Sequence, residues 1–229
     1  MVAVIEQPLG EPNELQRRLR VVKAPRAVLD HDRERRLTDR QREILDRLGE
    51  MFEDGFADLT MAKIASRSNC SLRTLYGVAP SRDELVLAVV DRNLWRVGHS
   101  AMAAIGSDMG PVEALRAYLH AATEVVNGMT EGFARDLASM PSAQRLGGFH
   151  ADYVEAVTRC LLDLAVERGD IVPVDTAAVA RVMAGLAREF SQPASMAALQ
   201  STPKAAADSV IEIMVRGMRI PTPHEQERQ

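Results

Sequence analysis

Residues 60–85 read TMAKIASRSNCSLRTLYGVAPSRDEL: two short helices joined by a tight turn, then the start of a third. Ala62, Ile64 and Ala65 are small or apolar, so the first helix can pack closely. Asn69 falls where the chain must turn, and Asn tolerates left-handed backbone angles better than any residue but Gly. Ser71 is placed to cap the second helix by accepting an orphan amide hydrogen bond. Cys70, just before the cap, is placed to tuck into the core. The second helix, from Leu72 to about Gly77, carries Arg73, Thr74 and Tyr76. A guanidinium can grip a guanine edge or a phosphate, hydroxyl and phenol groups bond phosphate, and a short helix fits the major groove. This is the layout of a helix-turn-helix that reads double-stranded DNA.

Upstream the pattern continues with Phe52, Gly55-Phe56 and Thr60, and downstream with Pro80-Ser81-Arg82-Asp83 and Leu85. Together with Ile64-Ala65, Ser71 and Thr74-Leu75-Tyr76, this ordered set resembles the DNA-binding domain of the TetR family of transcriptional regulators. The motif run covers residues 40–92, and the rest of the chain is similar in length and helical layout. The resemblance implies an all-α fold, with an N-terminal three-helix helix-turn-helix domain followed by a larger helical ligand-binding and dimerisation domain. It implies Thr60, Ser71, Leu72, Arg73, Thr74, Tyr76 and Arg82 as the DNA-facing set, with Thr60 and Arg82 on phosphates. It also implies a homodimer on a palindromic operator, more often a repressor than an activator, that responds to a small ligand. The chain departs from the family at five places: Asn69 replaces the usual Gly, Leu72 a frequent Lys, Arg82 another, Val78-Ala79 a His-Phe pair, and the Phe52 to Gly55 spacing is one residue shorter. Leu72 is open to two readings, a contact with a thymine methyl or a core side chain. An alternative function stays open beside the first: a similar helical scaffold that acts through protein contacts with weak or no DNA binding.

Composition agrees with close helix packing. Apolar residues make up 46% of the 229 and aromatic residues only 4%, so Ala, Leu, Val and Met supply the bulk of the core. The net charge of −4 divides unevenly, with +2 in residues 1–37, −1 in 38–100 and −5 in 101–229. Arg17, Arg18, Arg20, Lys23 and Arg26, then Arg33, Arg35 and Arg36, cluster ahead of the helix-turn-helix, where they could follow a DNA backbone or enter a minor groove. The alternative is a solvated leader with no specific role. The chain divides into a basic, flexible arm (1–37), the helix-turn-helix domain (38–82), the ligand-binding and dimerisation domain (83–220) and a flexible tail (221–229). Cys70 and Cys160 have no metal-like spacing and read as reduced core thiols. No secretory signal and no continuous apolar span is present, so a cytoplasmic protein without membrane contact is expected.

Thr38-Asp39-Arg40-Gln41 fits a capping box, and Ile44, Leu45, Leu48, Met51 and Phe52 follow at helical spacing up to Gly55. Ser81 starts a further helix to about Ala104. The acids Asp83 and Glu84 suit the positive end of its dipole and Arg82 does not, unless it meets a phosphate. Further helices are expected over 111–128, 131–141, 148–168, 175–191 and 203–219, with Gly169 ending the third, Pro193 closing the fourth, and Asp175 and Thr202 as caps. The last two are apolar on more than one face, where a monomer surface needs one stripe. Val179, Met183, Leu186, Phe190, Val210, Ile213 and Met214 are therefore candidates for a dimer interface. Trp95, His99, Met102, Tyr118, Thr123, Phe133, Met140, Phe149, Tyr153 and Met183 are candidate liners of a pocket for a mainly apolar small ligand, against the plainer reading of each as core. No zinc, phosphate-loop or nucleophile-elbow motif occurs, and the five histidines are scattered. Neither an enzyme, a metal site nor a cofactor is expected.

Overall fold

The computed structural model describes residues 13–25 and 36–219, which are helical apart from their connections. Expectations for the tail and for Arg26, Arg33 and Arg35 lie outside the described residues. A first group of helices, α2 (Asp39–Phe52), α3 (Met61–Arg67) and α4 (Leu72–Val78), leads into α5 (Arg82–Ala103). Thr38 and Gln41 close the expected capping box on α2. One stripe of α2, Ile44, Leu45, Leu48 and Phe52, is buried against Ile64 of α3 and Leu75 and Val78 of α4. Each such aliphatic side chain contributes roughly 1.5–3 kcal/mol by leaving water. This core does not stop at residue 82. It runs along α5 through Leu85, Val86 and Val89 and takes in Met140 and Ala143. The expected boundary at 82/83 thus cuts through one packed unit, and α5 passes from the first core into a second, which it enters at Ala101.

The second core is built from the end of α5, α6 (Pro111–Ala122), α8 (Pro141–Arg168), α9 (Thr176–Phe190) and α11 (Pro203–Met218), with α7 (Glu131–Ala138) and the short α10 (Pro193–Ala198) beside them. Tyr118, Leu115, Leu119, Leu161 and Leu162 are fully buried at its centre. Three expected limits shift. The helix expected over 111–128 breaks after Ala122 into a 3-10 turn, Thr123–Val126. α8 starts at Pro141 rather than 148, because a first-position Pro forfeits no helical hydrogen bond. Pro193 opens α10 instead of closing α9, for the same reason. Gly169, Asp175 and Thr202 end and cap their helices as the sequence implies. Cys70 and Cys160 are partly buried free thiols, and burial pushes both up from the usual thiol range.

Residues 13–25 correct the expectation of a flexible arm. Glu14–Leu19 form a helix, α1, with Asn13 and Gln16 in a capping box. Leu15 and Leu19, one turn apart, are buried in the second core. Arg18 pairs with Glu14 at 3.0 Å and with Glu167 of α8 at 2.5 Å, and the Asn13 side chain donates to the Ser107 carbonyl at 2.8 Å. The leucine pair gives this charged stretch an apolar face, and that face seats it on the C-terminal domain rather than leaving it in water.

Candidate nucleic-acid interface

The turn between α3 and α4 is held by local chemistry. Thr60 Oγ1 accepts the Lys63 amide N–H at 3.2 Å and caps α3. Asn69 adopts φ +48°, the left-handed conformation its side chain tolerates. The Cys70 amide then donates to the Ala65 carbonyl at 3.0 Å, and Arg40 of α2 donates to the Asn69 carbonyl at 3.2 Å. Ser71 Oγ accepts the Thr74 amide at 3.1 Å and sits 2.8 Å from the Thr74 hydroxyl.

These constraints fix which face of α4 looks outward. Leu75 and Val78 point into the core, while Leu72 and Tyr76, one turn apart, are 43% and 53% exposed, with exposed Arg73 beside them. Leu72 is therefore not a core side chain. Arg73 makes no ion pair or hydrogen bond among the described residues, so its guanidinium is available. Thr74 is half-buried and its hydroxyl is taken up by Ser71. Val78 and Ala79, where the family pattern has His-Phe, are buried. Lys63 and Arg67 of α3 are exposed near the same turn.

Arg82 differs from expectation. Its Nε and Nη2 bond Asp83 at 2.8 and 2.7 Å, and its Nη1 donates to the Ala57 carbonyl at 3.0 Å. A cation at a helix start is unfavourable against the dipole, and Asp83 together with the 55–57 loop supplies the compensation assigned to a phosphate. The same loop is held from the other side. The Asp136 carboxylate on α7 accepts the amides of Phe56 and Ala57 at 2.5 and 2.7 Å, and the Thr130 hydroxyl donates to the Glu53 carbonyl. A Cβ on Gly132 would fall 2.5 Å from the Asp54 carbonyl oxygen, so only Gly allows this approach. Gly55 in the loop has φ +107°, again a conformation for Gly. No local sequence signal marks these partners, which lie 79 and 80 positions apart.

The candidate dimer residues fall in two groups. Ile213 of α11 is 70% exposed, and Val179, Leu186, Phe190, Val210 and Met214 are half-buried. Met183 is buried within the subunit. Val182, on the same outer face of α9 as Val179 and Leu186, is 55% exposed.

The candidate pocket residues are dispersed. Tyr118 and Met183 are close-packed in the second core, Met102 and Tyr153 pack against it, and Phe133 lies edge-on to Phe56 beside the first core with buried Met140. Trp95 lies tilted against exposed His99 and edge-on to buried His150, whose ring nitrogen is 3.3 Å from buried Asp91. Buried Thr123 donates to Asp208 at 2.6 Å. This last contact belongs to a polar cluster joining α6 to α11. His120 lies 3.1 Å from Asp208 and 2.9 Å from Glu212, Arg116 is 2.8 Å from Glu212, and Lys204 is 2.6 Å from Asp208. Burial pushes the Asp208 carboxyl up, but the bonds from Lys204 and Thr123 outweigh it and hold the group below its usual range. The His120 hydrogen bond does the same for Glu212. Among the described residues no helix is long and apolar enough to cross a membrane.

No family model matches the chain, and no curated protein matches it. Solved structures do. A TetR transcription regulator from Haloarcula marismortui is 20% identical and superposes with a TM-score of 0.62 over 80% of this chain and 99% of that one. A TetR/AcrR-family regulator from Thermobifida fusca is 18% identical, with a TM-score of 0.61 over 80% of this chain and 100% of that one. A ketosteroid transcriptional regulator of Mycobacterium tuberculosis is 19% identical, with a TM-score of 0.55 over 81% and 98%. The fold is that of TetR-family transcriptional regulators.

Proposed function

We propose that this chain is a TetR-type transcriptional regulator that binds a palindromic DNA operator as a homodimer, represses, and changes its affinity when a small ligand binds. One observation carries the reading: α4 turns Leu72, Arg73 and Tyr76 outward on a helix whose other face is locked into the core. Arg73 is the base reader and Tyr76 a phosphate or base-edge contact, with Leu72 on a thymine methyl. Thr60, Lys63 and Arg67 supply backbone contacts that fix register.

One short helix reads few base pairs, so two copies about one DNA turn apart are needed. The outer faces of α9 and α11, with Val182 and Ile213 exposed, supply the partner surface. Ligand response works by population shift. A ligand that prefers the arrangement with misplaced recognition helices weakens DNA binding by that preference, typically about 1–3 kcal/mol. α5, which belongs to both cores, and α7, which grips the 53–57 loop, are the elements through which such a preference reaches α4.

The test is a DNA shift assay with the region upstream of the protein's own operon. The wild type should retard it and Arg73→Ala should not. Equal behaviour of the two, or no retardation by either, favours a scaffold that acts through protein contacts.

A further inference from the structure

The interior that a buried ligand would need is filled by Tyr118, Leu115, Leu119 and Leu161, all fully buried. Open space lies elsewhere. A cleft of about 500 Å³ runs along the outer face of α8, between that helix, the segment after α1 and one residue of α5. Its apolar walls are Leu87, Leu146, Phe149 and Tyr153, with Pro25 at the edge. Phe149 is 60% exposed there. Lys23 and Arg145 also line the cleft, and neither makes an ion pair or hydrogen bond among the described residues. Among the described residues Asp152 is the one carboxylate in the lining, so Lys23 and Arg145 leave the described lining with one excess positive charge. The Tyr153 hydroxyl has no hydrogen-bond partner among the described residues, and burial pushes its phenol up, so it remains a donor.

We propose that this cleft binds an amphipathic small-molecule carboxylate, its apolar body against Leu146, Phe149 and Tyr153 and its anionic head between Lys23 and Arg145. The volume is that of a small-molecule site. An apolar body removes the Phe149 ring from water. A guanidinium pairs with a carboxylate through two parallel hydrogen bonds, and the excess charge excludes a cation of the same shape. The position also has a consequence for DNA binding. Leu87 packs against the first core and Tyr153 against the second, so the ligand touches both. That regulatory consequence rests on the function proposed above, whereas binding itself does not.

The test is calorimetric titration of the full-length protein with sodium decanoate below its micellar range, and with decyltrimethylammonium as the cation of equal chain length. Saturable decanoate binding is expected, weaker by about tenfold or more in Arg145→Glu and in Phe149→Asp, with no saturable binding of the cation. Both side chains are exposed, and circular dichroism of the variants checks that they fold. A diazirine-bearing decanoate on the wild type should label the cleft lining: residues 142–156, residues 23–25 or Leu87. Absence of saturable binding, unchanged affinity in both variants, equal binding of the cation, or label elsewhere each overturns the site. If decanoate binds as expected while operator affinity stays unchanged, the site stands and its regulatory role falls. If decanoate binds and no DNA is bound at all, the failure lies with the proposed function alone.

Discussion

The Asp136 carboxylate accepts the Phe56 amide N–H at 2.5 Å, and so a side chain of α7 holds a loop of the helix-turn-helix domain. With the Ala57 amide on the same carboxylate oxygen and the Ala57 carbonyl on Arg82, the loop between α2 and α3 is clasped from α7 and from α5. Hydrogen bonds to an ionised group are worth about 1.5–3 kcal/mol each. Asp136→Ala should therefore destabilise the protein by about 2–4 kcal/mol, allowing for partial hydration of the exposed part of the loop. Hydrogen exchange at the 55–57 amides should accelerate in this variant. Unaltered exchange there would show that the clasp does not hold the loop.

On DNA contacts the structure separates two arginines that the sequence puts in one set. Arg73→Ala should cost about 1–3 kcal/mol in operator binding and relax specificity at one base pair. Arg82→Ala should lower thermal stability first, because it removes the support of the Ala57 carbonyl and leaves Asp83 unpaired. An Arg82→Ala protein with unchanged melting behaviour and uniformly weaker DNA binding would return Arg82 to the phosphates.

Dimer formation has a sharper probe than the buried positions. Ile213 is 70% exposed in the subunit, so Ile213→Glu leaves the monomer intact and places a charge in the proposed interface. Light scattering should report a folded monomer. A dimer that persists in Ile213→Glu and in Val182→Glu would place the interface elsewhere. Met183→Glu is a poor test, since that side chain is buried in the subunit and its loss would unfold it.

Acid should loosen α11 from α6. The Asp208 and Glu212 carboxyls both lie below their usual range in the folded protein. A depressed carboxyl contributes stability above its unfolded value, and that stability is lost as the pH falls through the folded value. The melting temperature of the wild type should exceed that of Asp208→Asn near pH 6, and the gap should close below about pH 4. A gap that is the same at both pH values would remove this cluster from the acid response.

Much of the fold is legible because it is specified locally. Thr38, Ser71, Asp175 and Thr202 cap helices through neighbours three residues on, and Asn69 bends the chain by its own backbone preference. The outward face of α4 follows from the same short spacing. The docking of α1 was not legible, since Arg17, Arg18, Arg20 and Lys23 dominate a stretch whose fate is decided by Leu15 and Leu19. Nor was the clasp. Asp136 and Gly132 look like any acidic and small residues of a helix, and their roles exist only once α7 lies against the 53–57 loop. The pocket residues were misleading for a related reason. Aromatic and Met side chains are chosen for filling space as often as for lining it, and Tyr118 and Met183 fill it.

Whether α4 reads DNA sequence is decided by selection from a random double-stranded DNA pool with the purified protein. A palindrome with half-site centres about one helical turn apart should be enriched, and Arg73→Ala should lose the preference at one base pair per half-site. Failure to enrich any sequence, or an enriched motif that Arg73→Ala selects unchanged, would contradict sequence reading by α4.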